Sequence, residues 1–241
     1  MAYTYDLTVI GGGSGGLTAA RVAASLGAHV LLIDKEKLGG DCLNYGCVPS
    51  KSLIHVARVV KQAKDAAQLG LTPADLTVDI GKVSEYIQGV IQRVGENEQV
   101  YTAGVTVKFG AVAFLSPTAL SLDGERFTSR GTLIATGSHP RLPEIDGLAE
   151  TGYVTNEDVF NLTSLPRSLI VVGGGPVGLE LAQAFSRLGV QVTIIQGPSC
   201  ILPREDPEVS ALLSDVLTSE RITVITNARF VRAERNGGKK A

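Results

Sequence analysis

Apolar residues in this chain fall into short runs separated by glycine-dense turns and longer stretches of helical periodicity. Leu7 to Ile10 is an apolar run of strand length that leads into Gly11-Gly12-Gly13-Ser14-Gly15-Gly16. From Leu17 to about Leu26 the pattern is helical and Ala-rich, with small residues on the packing side. Val30 to Ile33 is a second apolar run, closed by Asp34. Strand, glycine turn, helix and strand predict a βαβ unit with two parallel strands. The pattern restarts 162 positions on, with the run Leu169 to Val172, the turn Gly173-Gly174-Gly175-Pro176-Val177-Gly178, a helix from Leu179 to Leu188, and the run Val192 to Ile195 closed by Gln196. Leu26-Gly27 aligns with Leu188-Gly189, and Asp34 with Gln196. Agreement at every landmark points to one nucleotide-binding architecture used twice.

Between the copies, helices are expected over roughly Ser50 to Leu69 and Lys82 to Ala103. Val105 to Thr128 reads as a β-meander of short strands with an Asp123-Gly124 turn. Thr132 to Ile134 reads as a buried strand ending at Ala135-Thr136-Gly137, and prolines 140, 143 and 166 punctuate the passage into the second copy. Ile222 to Thr226 reads as a third strand of that copy. The expected fold is α/β: a Rossmann-like dinucleotide-binding domain with a β-meander over residues 1–151, then a shorter, truncated Rossmann-like domain over 152–241.

Length and composition fit that plan. The chain has 241 residues, enough for two ordinary domains with cores, and 28 of them are glycine. A net charge of -2 without a basic stripe argues against nucleic acid as a partner. No stretch approaches the ~18 apolar residues of a membrane span. The N-terminus lacks the basic start, apolar core and cleavage site of a secretion signal, and three cysteines are too few for a structural disulfide framework. The chain reads as soluble and cytoplasmic, where a cysteine pair is more often catalytic or metal-binding than structural.

In the first turn, Gly11 permits the tight bend, Gly13 lets a pyrophosphate approach the backbone, and Gly16 lets helix and strand pack closely. The phosphates then meet the N–H groups of a helix N-terminus. A carboxylate at Asp34 is placed to accept from a ribose diol. Gly173, Gly175 and Gly178 repeat the arrangement. There Gln196 stands for the acid, and a neutral amide does not repel a 2′-phosphate as a carboxylate does.

The stretch Gly39-Gly40-Asp41-Cys42-Leu43-Asn44-Tyr45-Gly46-Cys47-Val48-Pro49-Ser50-Lys51 carries two cysteines five apart at an expected helix start. Such a pair can close a small ring and reopen it. The helix dipole favours a thiolate there by ~0.3–1 kcal/mol, under one pKa unit at ~1.36 kcal/mol per unit. A reactive thiolate near neutral pH therefore needs another contributor, such as a cofactor or base. A zinc site wants four ligands, and Cys200, His29, His55 and His139 show no ligand spacing around this pair. An inert buried pair fits poorly with so many flanking glycines.

This stretch closely resembles the redox motif of the class I pyridine nucleotide–disulfide oxidoreductases, a family that includes dihydrolipoamide dehydrogenase, glutathione reductase and mercuric reductase. Gly11 to Gly16 resembles its FAD fingerprint, Thr132 to Gly137 its second FAD motif, and Gly173 to Glu180 its NAD(P) fingerprint. The resemblance implies FAD contacts at Gly11, Gly13, Ser14, Gly15, Gly16, Asp34, Lys35, Gly40, Asp41, Val112, Ala135, Thr136 and Gly137. It implies NAD(P)H contacts at Gly173, Gly175, Pro176, Val177, Gly178 and Gln196. Reduced nicotinamide passes hydride to flavin in that family, and flavin reduces the disulfide. By similarity Cys42 is the interchange thiol, Cys47 the charge-transfer thiol against the flavin, and Lys51 with Glu180 an ion pair near the flavin's reactive nitrogen. The implied substrate is a small disulfide or a metal ion, and a homodimer is expected.

The departures are Asp34 where the family usually has Glu, Asp41 where Thr is common, and Tyr45 where a small aliphatic is usual. Gln196 leaves NADH against NADPH open. The family's closing FAD motif and the interface domain with its His-Glu pair are expected beyond residue 241, so the chain is expected to be an N-terminal portion unable to complete thiol exchange alone. The competing reading is a non-catalytic FAD- or nucleotide-binding or thiol-sensing module. A third is an enzyme completed by a separate partner chain.

Overall fold

Val30–Asp34 forms strand β2, and its residues Val30 to Ile33 are all buried because both faces of the strand are covered. This is why the sequence there is continuously apolar instead of alternating. The computed structural model describes residues 3–72, 76–96, 102–236 and 239–240. Around β2 stand β1 (Tyr5–Ile10), α1 (Ser14–Ser25) and β3 (Val105–Phe109), followed in the chain by β4 (Val112–Ser116), β5 (Ala119–Leu122) and β6 (Glu125–Ile134). The strands form one sheet in the order β3-β2-β1-β6-β5-β4, parallel from β3 to β6 and antiparallel through the meander. On one face Val9, Val30 and Leu32 pack against Leu17 and Ala20 of α1. On the other, Leu31 and Ile33 pack against Leu120, Leu122 and Phe127 of the meander. Each such Val, Leu, Ile or Phe side chain contributes about 1.5–3 kcal/mol when fully buried.

The expected short buried strand at Thr132 to Ile134 is instead the end of ten-residue β6. Its first half pairs antiparallel with β5 up to Thr128, and from Ser129 it pairs parallel with β1. Ser129 is still buried, but the strand's end is open and Ile134 is 64% exposed. The helix expected over Lys82 to Ala103 is α4, Ile80–Glu96. Residues 97–101 lie outside the described residues, and residues 102–104 form a turn in which Gly104 takes a φ of 75°. Helix α3 runs Cys47–Asp65, so it begins at the second cysteine, and α2 (Gly40–Asn44) is a short helix that periodicity did not disclose.

By compactness the chain divides into Met1–Pro49 with Gln88–Pro140, and Ser50–Ile87 with Arg141–Ala241. This differs from a division at 151/152. The segment around α5 (Leu148–Thr151) goes with the second unit because Ala233 donates to the Asp146 carbonyl at 2.7 Å and the Arg235 guanidinium to that of Thr151.

In the second unit, β7 (Ser168–Val172), β8 (Gln191–Ile195) and β9 (Thr223–Ile225) make a parallel sheet in that order, with α6 (Pro176–Arg187) and α7 (Pro207–Ser219) as crossovers. A two-residue pairing of β10 (Arg235–Asn236) with β11 (Lys239–Lys240) follows. The sequence repeat is a structural repeat: Leu7 pairs with Val30 as Leu169 pairs with Val192. Both helices start inside the glycine turn, at Ser14 and Pro176, three residues earlier than the apolar pattern places them. Only half of the apolar run in β7 is covered, for Ile170 and Val172 point to its open face. Glu220, after α7, accepts two bonds from the Arg187 guanidinium and one from Gln183, which ties the end of α6 to the turn before β9.

Candidate functional site

Gly11 takes a φ of 106°, and a Cβ there would lie 2.1 Å from the Ala135 carbonyl oxygen. A Cβ on Gly16 would lie 1.8 Å from the Gly11 carbonyl oxygen, so both positions exclude any side chain. Ala135 donates to Ile10 O at 2.7 Å, which brings Ala135-Thr136-Gly137 against the first turn. No side chain caps α1, leaving its first-turn N–H groups directed outward. No atom lies within 4 Å of a Cβ built on Gly15 or Gly137. The arrangement is an open backbone cradle, and its donors suit a pyrophosphate.

Asp34 makes bonds that its position in sequence did not reveal. Its Oδ2 accepts from Gly12 N at 2.7 Å, and its Oδ1 accepts from Glu36 N at 3.0 Å and Lys37 N at 3.2 Å. The carboxylate therefore braces the turn it follows. In the second copy Gln196 does the same: Gly174 N donates to its Oε1 at 2.7 Å, and its Nε2 faces Cys200 O at 3.4 Å. Gln196 is buried. Gly173 shares the φ of 106°, α6 also lacks a side-chain cap, and a Cβ on Gly173 or Gly175 would meet nothing within 4 Å. Pro176 and Val177 open that helix, and Gly178 packs on the Gly173 carbonyl.

The cysteine loop is fastened to the first turn. Gly39 donates to Gly12 O at 2.8 Å, and Gly40 takes a φ of 56°, where a Cβ would come within 2.6 Å of Gly13 Cα. Asn44 Nδ2 braces the loop by donating to Leu38 O and Gly40 O. Cys42 on α2 and Cys47 at the start of α3 are both free thiols in mutual contact. The hydrogen bond from the Cys42 thiol to Cys47 Sγ pushes Cys42 above the ordinary thiol range, and burial and the Cys47 charge add to this. The Cys47 backbone N–H and the Ser14 hydroxyl, both donating to Cys42 Sγ, oppose it. Asp41 folds its carboxylate over Gly46, where a Cβ would lie 2.8 Å from Oδ2. Lys37 Nζ lies 4.6 Å from the Tyr45 ring centroid. Sequence reasoning missed Ser14 as a neighbour of the thiols, and it missed Lys37 altogether.

Lys51 Nζ donates to Glu180 Oε2 at 2.8 Å, with side chains 62% and 43% exposed. Val112 opens β4, its side chain packed on the core beneath β2, and Lys35 is exposed in the turn after Asp34. Among the described residues no three His, Cys, Asp or Glu side chains cluster to hold a metal ion, and no helix is long and apolar enough to cross a membrane.

Comparison with known proteins places these features in context. The sequence profile described as pyridine nucleotide-disulphide oxidoreductase matches residues 5–241. A dihydrolipoyl dehydrogenase of Bacillus subtilis is 37% identical over 96% of the chain and 52% of its own length. A mercuric reductase of Staphylococcus aureus is 31% identical over 97% of the chain and 43% of its own. Among solved structures, the HOCl-induced flavoprotein disulfide reductase RclA from Escherichia coli superposes with a TM-score of 0.85 at 27% identity, covering 98% of the chain and 52% of that protein. The chain spans about half the length of these relatives.

Proposed function

The chain belongs to the pyridine nucleotide-disulphide oxidoreductase family, and from that premise we propose that it carries the electron-accepting half of an FAD-dependent NAD(P)H:disulfide oxidoreductase. The observation that carries the reading is the fastening of the Cys42/Cys47 loop, by backbone contact, to an open glycine turn suited to a dinucleotide. On this reading residues 1–151 hold FAD and 152–241 hold NAD(P)H.

When bound, FAD supplies a two-electron carrier between reduced nicotinamide and sulfur. The first-turn N–H groups of α1 would hold the pyrophosphate, and Asp34 has lone pairs left that would serve the ribose. The second turn and α6 hold the nicotinamide dinucleotide. Lys51 and Glu180 form an ion pair within the second unit, and by the family resemblance they would be the pair that serves the flavin. Two electrons and one proton convert the Cys42–Cys47 bond into one thiol and one thiolate. On this reading the proton stays with Cys42, whose thiol is held above the ordinary range by its hydrogen bond to Cys47. The substrate class is a small disulfide or a thiophilic metal ion that meets Cys42. Gln196 brings no charge to the second ribose site, so NADH and NADPH are both tested.

The experiment is anaerobic addition of either coenzyme to the FAD-loaded chain, followed by thiol counting at Cys42 and Cys47. Two new thiols per flavin are expected. A chain that retains FAD while its disulfide stays closed overturns the reading in favour of a passive nucleotide-binding module.

A further inference from the structure

Tyr45 stands at a corner. Helix α2, which carries Cys42, ends there as the backbone turns to a φ of -138°, and α3 begins two residues later at Cys47 itself. Lys37 reaches this corner from outside the segment that a Cys42–Cys47 bond would enclose, its Nζ 4.6 Å from the centroid of the Tyr45 ring. At that range the ammonium is attracted by the negative face of the ring, a face that a small aliphatic residue would not offer. The backbone of Lys37 is fixed in turn, since its N–H donates to Asp34 Oδ1 at 3.2 Å at the end of β2. A line of contacts thus runs from the sheet through Lys37 to the corner between the cysteines. The neighbouring bonds go to backbone carbonyls: Asn44 Nδ2 donates to Leu38 O at 3.1 Å and Gly40 O at 2.9 Å, and Tyr45 N to Asp41 O at 2.8 Å. They fold α2, whereas Lys37 engages the Tyr45 side chain.

We propose that Lys37 is a positioning residue for disulfide closure: seated on the Tyr45 ring, its ammonium holds the corner between the two cysteines in the shape that the closed Cys42–Cys47 ring requires. The inference deepens the oxidoreductase reading and rests on it for its biological meaning. Closing the bond costs the loop conformational freedom. A loop already held at its corner has less freedom to lose, so the contact favours the disulfide over the two thiols. In the closed state the bond enforces the corner and the contact is made in full. In the open state the loop can leave it, and the difference between the two states is what Lys37 adds to closure. At an exposed site a cation on an aromatic face changes an equilibrium by about two- to fivefold. That range applies because Lys37 is exposed and Tyr45 half-buried.

The test needs neither flavin nor coenzyme. The full chain is equilibrated without oxygen in mixtures of reduced and oxidised dithiothreitol and quenched by alkylation, and the closed fraction of Cys42–Cys47 is read by peptide mass spectrometry. The Cys42–Cys47 bond forms as the S–S bond of the reagent's ring opens, two electrons and two protons passing from protein to reagent. Lys37→Gln is expected to lower the closure constant about threefold, which raises the reduction potential by about 14 mV at ~29.6 mV per tenfold. Tyr45→Leu should lower it to a similar extent, and the double variant should fall no further than Tyr45→Leu alone. Lys37→Arg and Tyr45→Phe, which keep the cation and the ring, should stay within about 1.5-fold of wild type. An unchanged constant in Lys37→Gln overturns the proposal and leaves the oxidoreductase reading standing. So does an equal fall on Lys37→Gln with and without the Tyr45 ring, the signature of a charge acting independently of the ring. A wild-type pair that stays open in every mixture overturns the oxidoreductase reading as well.

Discussion

Asp34→Asn separates the scaffold role of the fingerprint acid from its ligand role. The carboxylate accepts three backbone N–H groups, at 2.7, 3.0 and 3.2 Å. An asparagine has one acceptor oxygen, and turning it toward Gly12 points its NH₂ at the Glu36 and Lys37 donors. Those two lie in an exposed turn, so water replaces the lost partners at small cost. The Gly12 bond survives but falls from a charge-assisted bond, worth ~1.5–3 kcal/mol, to a neutral one worth ~0.5–1.5. With up to ~1 kcal/mol for the two exposed donors, the loss is about 2 kcal/mol. For a chain of this length that corresponds to a melting shift of ~4–8 °C. The assay is calorimetry on protein stripped of flavin, with FAD titration run in parallel. A cofactor-free variant melting within about 1 °C of wild type would refute the reasoning and reduce Asp34 to a ribose ligand.

Two further outcomes follow from the geometry. Gly16→Ala forces a Cβ to 1.8 Å from a backbone oxygen, whereas the equivalent Gly178→Ala forces it to 2.7 Å. Equilibrium denaturation should therefore show the first to be the more destabilising, with FAD retention lost in Gly16→Ala and kept in Gly178→Ala. Cys47→Ser removes the sulfur that holds the Cys42 thiol high. The Cys42 alkylation midpoint should then fall, and a midpoint that stays or rises contradicts the assignment of the shared proton.

Much of the fold was legible because its constraints are local. Gly11, Gly16, Gly173 and Gly178 announce themselves in sequence because a side chain at any of them would strike the backbone or force a left-handed strain. The buried run Val30 to Ile33 is legible because covering both faces removes the polar alternation. What was not legible depends on backbone meetings between distant segments. The cysteine loop is brought to the first turn by the Gly39–Gly12 bond, which carries no side-chain signature. Asp34 and Gln196 differ in charge, so their common bond to the second glycine of the preceding turn is hidden in a residue-type comparison. Five-residue α2 is too short to show a period. Apolar runs also do not report which face is covered, which is why Ile134 was read as buried although it is exposed.

The mid-length change of partner in β6 has a consequence in time. Tyr5 in β1 pairs with Ser129, and Thr4 meets Thr128 across 124 positions of sequence. At ~5–20 residues per second, β1 leaves the ribosome roughly six to twenty-five seconds before its partner strand is synthesised. Ala135, whose carbonyl rests on Gly11, arrives later still. Through that interval the first glycine turn lacks one wall, and an apolar strand waits with one edge bare. Such exposure makes slow, non-local pairing prone to aggregation. The nascent chain is thus most vulnerable not at its redox loop but along β1, until translation reaches the end of the meander.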